Sequence, residues 1–138
     1  MLYIYNVNPQ TIADEIDIQF ITTGVQTGCT AVRNANNGVT IGRPGFYMIH
    51  FNADAAASAA AGDITAQLAV NGIDIPGAEA TETSSAVTDT VNIGFTAIIA
   101  VPPNQCCNTG NIPAIVTVRN VGIEAVYSNA ALTVTKIA

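Results

Sequence analysis

An alternation of apolar and polar side chains with a period of two recurs along the chain and predicts β-strands. Ile64, Ala66, Leu68 and Val70 alternate with polar or small residues, and 90–101 is a longer, mostly apolar segment. Ile, Val and Thr, whose branched side chains suit a pleated surface, are abundant. Gly, Pro and Asn interrupt these segments at short intervals, a pattern typical of an all-β sandwich or barrel.

About ten strands are predicted, joined by short turns and loops. The predicted strands cover 2–7, 16–20, 30–34, 39–41, 45–53, 64–70, 73–75, 90–101, 114–121, 125–128 and 131–137. Asn36 to Gly38 and Asn71–Gly72 predict tight turns, since Asn and Gly accept positive φ at little cost. Pro76–Gly77 is expected to end the strand that begins at 73, and 81–88 is expected to begin a polar loop. The Ala-rich segment 54–62 is too short to hold as an isolated helix and is interpreted as a strand end and a loop.

The length and charge of the chain limit its possible classes of function. Its 138 residues and 14.2 kDa fit a single domain over 1–138. The formal net charge is −6, and the four basic residues, Arg33, Arg43, Arg119 and Lys136, are scattered. Nucleic acids and anionic membranes are bound through clustered basic residues, so neither partner is expected. No segment reaches the ~20 apolar residues of a membrane-spanning helix.

The low content of charged residues predicts self-association. Surfaces of small soluble domains are designed with about 25–35% charged residues, whereas this chain has 10% in total and a mean hydropathy of +0.38. Part of its surface is therefore expected to be covered by other copies. Residues 1–20 contain three acidic residues and no basic one, so no secretory signal is expected and synthesis in the cytoplasm is predicted.

The three cysteines and one histidine give little basis for a metal or redox site. An odd number of cysteines, Cys29, Cys106 and Cys107, does not predict a disulfide framework, although a bond between Cys29 and one of the other two stays open. His50 is the only histidine, whereas a zinc site needs four good ligands. Cys106 and Cys107 are therefore interpreted as loop thiols, with a redox or metal site as the less favoured alternative.

The motifs of common enzyme classes are missing from the sequence. Gly42 to Gly45 lacks the Gly-Lys-Thr ending and the following helix of a phosphate-binding loop. There is also no Gly-x-Ser-x-Gly of serine hydrolases and no His-Glu-x-x-His of zinc proteases. We therefore expect no enzymatic activity, no catalytic residue and no cofactor.

Several segments resemble known trimeric β-domains. Gly-Phe-Tyr-Met-Ile-His-Phe at 45–51 resembles the Gly-x-Tyr strand of complement- and tumour-necrosis-factor-type jelly rolls. The segments 44–47, 68–77 and 132–138 are similar, in order and spacing, to the globular head of collagen-like glycoproteins on bacillus spores. The segments 2–6 and 24–29 resemble small phage proteins that decorate capsids or cap head fibres. The resemblance implies an all-β, about ten-stranded jelly-roll sandwich that forms a homotrimer.

The resemblance also assigns the two faces of the strand that begins at Gly45. Period-two alternation divides its side chains into two sets. The family's pattern implies a sandwich core formed by Tyr47, Ile49 and Phe51 and a face toward the threefold axis formed by Phe46, Met48 and His50. Three copies of His50 would then meet near the axis, which makes a pH switch or a metal site an alternative to a merely hydrogen-bonded histidine.

Calcium is a further alternative, because some complement-type domains bind it. Calcium takes six to eight oxygen ligands, several of them carboxylates, and acidic residues occur together at Asp14, Glu15 and Asp17 and around the Ala-rich segment at Asp54 and Asp63. None of these segments has the regular Asp-x-Asn-x-Asp-Gly spacing. Solvated strand edges that discourage aggregation are the favoured interpretation, and no metal ligand is assigned.

The resemblance implies a structural role without catalysis. The leading hypothesis is a homotrimeric capsid-decoration or head-fibre protein of a bacteriophage, assembled in the bacterial cytoplasm, with the major capsid protein as a partner. One alternative is a receptor- or glycan-binding head that presents the loop 104–111 to a host surface. Another is a spore or cell-surface coat protein, against which the lack of a Gly-x-y collagen stalk in this sequence counts.

Overall fold

Twelve β-strands form the described part of the chain. The computed structural model describes residues 1–35, 37–103 and 113–138. The strands are β1 (Leu2–Asn6), β2 (Gln10–Ile12), β3 (Ile16–Asp17), β4 (Thr22–Gln26), β5 (Ala31–Asn34), β6 (Gly38–Ile41), β7 (Gly45–Ala57), β8 (Gly62–Val70), β9 (Ile73–Ser84), β10 (Thr90–Val101), β11 (Ala114–Gly122) and β12 (Ala125–Lys136). Within these ranges no helix has the length and apolar character needed to cross a membrane.

The strands form two antiparallel sheets that pack as a sandwich. In sheet I the order is β10-β7-β12-β1-β4, and β2 also pairs with β12. In sheet II the order is β5-β6-β11-β8-β9, and β3 also pairs with β11. Several consecutive strands, such as β7 and β8, lie in different sheets, so the chain crosses repeatedly between the layers as a jelly roll requires.

The core lies between the sheets and is built from alternate residues of each strand. In β7, Tyr47, Ile49 and Phe51 are buried, and their neighbours in the sequence point the other way. The Phe51 ring packs edge-on against Phe20, with ring centroids 6.4 Å apart, and lies 5.4 Å from the ring of Phe95. These aromatic pairs join β7 to its neighbour β10 and to the chain segment before β4.

The long strands and the short turns agree with the predictions. The predicted strand at 90–101 coincides with β10. The predicted Asn71–Gly72 turn is confirmed, with positive φ at both residues and β8 and β9 paired on either side. Strands β5 and β6 pair as a hairpin, as the turn at Asn36 to Gly38 predicts, although Asn36 lies outside the described residues.

The predicted end of a strand at Pro76–Gly77 is wrong, because β9 continues through both residues. An edge strand tolerates proline, since one of its sides carries no ladder hydrogen bonds, and β9 is an edge of sheet II. Gly77 has a φ of 79°, and the register with β8 shifts between Gln67 and Ala69. The predicted loop at 81–88 is also too long, because β9 ends only at Ser84.

Three further differences arise where pairing between distant segments overrides the local pattern. The alternation of Ile16, Ile18 and Phe20 predicts one inward face, but Ile16 is 51% exposed and only the other two are buried, in a segment that crosses between the sheets. The polar strand β4 and the short β2 were not predicted. The predicted gap after Ser128 is a bulge within β12, where Asn129 takes a φ of 50°.

A buried polar group connects the two sheets. Asn120 on β11 is completely buried, and its side-chain amide donates to the backbone carbonyls of Ile12 and Ile123 at 2.9 and 2.8 Å. Its Oδ1 accepts a hydrogen bond of 2.8 Å from the hydroxyl of Tyr127 on β12. Burial raises the pKa of the Tyr127 phenol well above its ordinary value, so this hydroxyl remains a donor throughout the physiological pH range.

A second set of polar side chains surrounds Arg119, which lies on β11 and is mostly buried. Its guanidinium forms ion pairs with Glu15 and Asp74 and therefore links the segment before β3 to the start of β9. Asp17 accepts a hydrogen bond of 3.2 Å from the Asn37 side chain. Burial raises the pKa of the Asp17 carboxyl, and the Asn37 hydrogen bond and the Arg119 charge lower it by less.

We expect Tyr127→Phe to lower the free energy of unfolding by about 1–3 kcal/mol, because it leaves the buried Asn120 oxygen without its donor. Urea unfolding, followed by circular dichroism at one protein concentration, measures this loss. Thr40→Val is the control, because it removes a hydroxyl on β6 of sheet II that makes no hydrogen bond within the described residues. Equal stability of the two variants would contradict the role of the Asn120–Tyr127 pair.

We expect Asp17→Asn to raise the free energy of unfolding at pH 7, by less than about 1 kcal/mol because solvent screens this partly exposed group. A raised pKa means that the folded chain holds the proton more tightly than the unfolded chain, so the stability due to proton binding is lost as the pH rises above about 4. The gain should therefore shrink on acidification. Glu79→Gln makes the same change in net charge at an exposed position and is the control for that change. Destabilisation by Asp17→Asn at pH 7 would contradict this account.

Candidate functional site

An exposed apolar cluster lies on the outward face of sheet I. Phe46 and Met48 on β7 point away from the core, and Phe46 is 52% exposed. Ile98 on the neighbouring strand β10 is directly opposite Met48 and is 62% exposed. Side chains at such facing positions have Cβ atoms about 4.5–5.5 Å apart. We call Phe46, Met48 and Ile98 the apolar cluster.

A pair of tyrosines lies toward the other side of the same sheet. The rings of Tyr3 and Tyr5 on β1 have centroids 5.5 Å apart. Gly24 on the edge strand β4 lies beside them, and a Cβ atom there would be 2.8 Å from a ring atom of Tyr3 and 2.9 Å from one of Tyr5. Glycine is therefore required for the rings to lie over β4. A shallow groove next to the rings is lined by Tyr3, Tyr5, Val7, Asn129 and Ala131.

Polar side chains occupy the middle and the far end of this face. The Nδ1 atom of His50 lies 2.8 Å from the Thr96 hydroxyl on β10. Asn52 and Asn92 exchange side-chain hydrogen bonds of 3.3 and 3.2 Å. Asp54 accepts hydrogen bonds from the Asn92 and Asn129 amides. These groups bond to one another and carry a single formal charge, that of Asp54.

The charged residues are distributed unequally between the two sheets. The six strands of sheet I contain only Asp54 and Lys136. The strands of sheet II contain a larger set, Asp17, Arg33, Asp63, Asp74, Glu79, Glu82 and Arg119. Sheet I therefore has few of the charged residues of the chain. Another protein surface that packs on this sheet meets little electrostatic repulsion.

The structure brings together some of the residues singled out in the sequence and separates others. Phe46, Met48 and His50 share the outward face of β7, and their strand neighbours form part of the core. Cys29 is an exposed free thiol, whereas Cys106, Cys107 and the loop 104–111 lie outside the described residues.

The acidic residues considered for calcium have other partners. Asp14 accepts a hydrogen bond of 2.8 Å from the Gly122 backbone N–H, and Asp63 accepts one of 2.7 Å from the Thr83 hydroxyl. Glu15 pairs with Arg119. In the described part of the chain, no three His, Cys, Asp or Glu side chains are grouped so that they could hold a metal ion.

Sequence reasoning missed Ile98 and the pair of tyrosines over Gly24. The last part of β10, 97–101, is apolar on both faces, and that property already sets it apart from a half-solvated strand. It does not show that Ile98 lies opposite Met48, because that register joins residues 50 positions apart. No local signal in the sequence indicates that Gly24 lies beside Tyr3 and Tyr5.

Comparison with solved structures identifies the fold. No protein-family model matches this sequence, and neither does any curated protein. The structure is similar to murine APRIL at pH 5.0, with a TM-score of 0.72, 11% identity, and 99% of this chain and 97% of that chain covered. It is also similar to Eiger TNF from S. frugiperda, with a TM-score of 0.73, 11% identity, and coverage of 99% and 91%.

A third similar structure is the PRD1 vertex protein P5, with a TM-score of 0.61, 15% identity, and coverage of 99% of this chain and 96% of that chain. Each of the three likenesses extends over nearly the whole chain. At such low identities they show the fold alone, and the fold agrees with the one that the resemblance implies. The chain therefore has a tumour-necrosis-factor-like jelly-roll fold.

Proposed function

We propose that the chain is a non-enzymatic structural module that works as a homotrimer, assembled through the outward face of sheet I. The observation that carries this proposal is the apolar cluster, Phe46, Met48 and Ile98, exposed on the sheet that is nearly free of charge. Contiguous exposed apolar surface on a folded protein usually marks an interaction site. The neighbouring face of β12 is polar but uncharged up to Lys136.

The arrangement of the face fits a threefold assembly. A closed ring of three subunits needs a heterologous contact, in which one patch of each copy meets a different patch of the next. Sheet I offers two such patches, the apolar cluster on β7 and β10 and the tyrosine pair on β1. Strand β12 lies between the two patches, so they do not pack against each other within one subunit. In the proposed trimer the apolar cluster of one copy packs against Tyr3 and Tyr5 of the next.

The proposed place of the trimer is the surface of a phage particle, as a capsid-decoration or head-fibre protein bound to the major capsid protein. The resemblance of segments such as 2–6 to small phage decoration proteins supports this. The similar fold of a protein named as the PRD1 vertex protein P5 is a further support. Such a module works by shape and permanence, and an interface of apolar and uncharged side chains is suited to permanent assembly because such interfaces resemble a protein core.

We expect light scattering on a sizing column at neutral pH to give a mass of about three chains, as a closed threefold ring requires. Ile98→Asp should lower the mass to that of one chain, because it places a charge in each of three apolar contacts. Ile73→Asp is the matched control. Ile73 is 70% exposed but lies on β9 in sheet II, so the same substitution there should leave the trimer intact.

A monomeric wild-type chain would contradict the trimer. A trimer that survives Ile98→Asp as well as Ile73→Asp would contradict the assigned face. Met48→Asp gives a second test at the facing position on β7. Circular dichroism of each variant separates dissociation from unfolding.

We expect gold-labelled antibodies against the chain to bind the surface of purified phage particles in electron micrographs. Peptides of the chain should be found in the same particles at a constant ratio to the major capsid protein. Labelling of spores or host cell walls in preparations without particles would instead support a coat protein and contradict the assignment to the virion.

A further inference from the structure

The only histidine of the chain occupies the middle of the proposed interface. His50 lies on the outward face of β7, and its partners across the sheet are Thr96 on β10 and Thr133 on β12. It is exposed in the single chain, and its one hydrogen bond within the described residues joins Nδ1 to the Thr96 hydroxyl. The second ring nitrogen is thus left for solvent or for another subunit.

Among the residues that the structure describes, no charged group lies next to His50 on the outward face of sheet I. The cross-strand neighbours are threonines, and Tyr3 on β1 is the next residue in the same row, opposite Thr133. The nearest acid on this face is Asp54, four residues along β7 and therefore about 13 Å away. Lys136, the one base of sheet I, pairs in register with Tyr47 near the other end of β7.

We propose that His50 makes assembly of this protein pH-dependent, so that the subunits associate when the imidazole is neutral and separate when it is protonated. This inference rests on the proposed trimer. A neutral imidazole bonded to Thr96 is covered by another subunit at a lower cost than an imidazolium, because its Nδ1 already has a partner and only the uncharged Nε2 loses water. An imidazolium covered in the same way loses water without gaining a carboxylate, and threefold symmetry brings three like charges toward one another.

The proposal predicts that the subunits separate at low pH, whereas the change in net charge on acidification favours their association. Each chain carries a net charge of −6 at pH 7, and acidification reduces this repulsion and should favour association. Dissociation at low pH would therefore identify a specific group that opposes assembly when it takes up a proton. Histidine is the side chain whose charge changes between pH 5 and 8, and His50 is the only one in the sequence.

The test is sedimentation equilibrium of the whole chain at pH 7.5 and pH 5.0. We expect the wild-type trimer to be intact at pH 7.5 and dissociated at pH 5.0, because histidine side chains change charge in this interval. His50→Gln keeps a neutral polar side chain and should remain trimeric at both. His50→Arg should be dissociated at both, whereas Val87→Arg, a matched charge in a loop outside sheet I, should remain trimeric at pH 7.5.

The outcomes distinguish a failure of the proposed pH dependence from a failure of the proposed trimer. A wild-type chain that is monomeric at pH 7.5 overturns both proposals. A trimer at pH 7.5 whose response to acid is the same in wild type and His50→Gln overturns the role of His50 and leaves the trimer standing. Dissociation by EDTA at pH 7.5 also overturns the proposal, because acid would then act by displacing a metal ion held by the three rings.

Discussion

Burial of every second side chain of β7 in the core determines that the side chains between them point outward. This strand lies between β10 and β12 and pairs with both along most of its length. Tyr47, Ile49 and Phe51 reach the core, so a shift of one residue would expose all three and bury their neighbours. The outward positions of Phe46, Met48 and His50 are therefore a direct consequence of core packing. The candidate interface depends on this strand, because β10 and β12 take their register from it.

The unequal distribution of charge gives the two sheets different roles. Sheet II carries most of the charged strand residues, and its Arg119 pairs with acids from two separate segments. Sheet I has one acid and one base among its strands, and its polar groups bond to one another. A chain with 10% charged residues therefore has a solvated side and a side suited to burial. The buried Asn120–Tyr127 pair joins the two sheets without adding a charge to the core.

A tumour-necrosis-factor-like sandwich does not by itself determine a function. Its use here depends on what lies on the outward face of sheet I: an apolar cluster, a pair of tyrosines and a histidine between uncharged neighbours. These features suit the proposed assembly surface, since they combine exposed apolar area with low charge. The groove beside the tyrosines continues the same face, so it forms part of the proposed contact between copies.

The sequence alone determined the elements whose signal is local. Alternation in β7 and β8, the apolar β10 and the Asn71–Gly72 turn were predictable because each depends on neighbouring residues. Tertiary structure decided the rest. The polar β4 is a strand because β1 offers it a partner, and β9 passes through Pro76 because it lies at an edge. Ile98 meets Met48 only through pairing across 50 residues. A period of two tells which side chains share a face of one strand, but only the packed sheets decide which strands are neighbours.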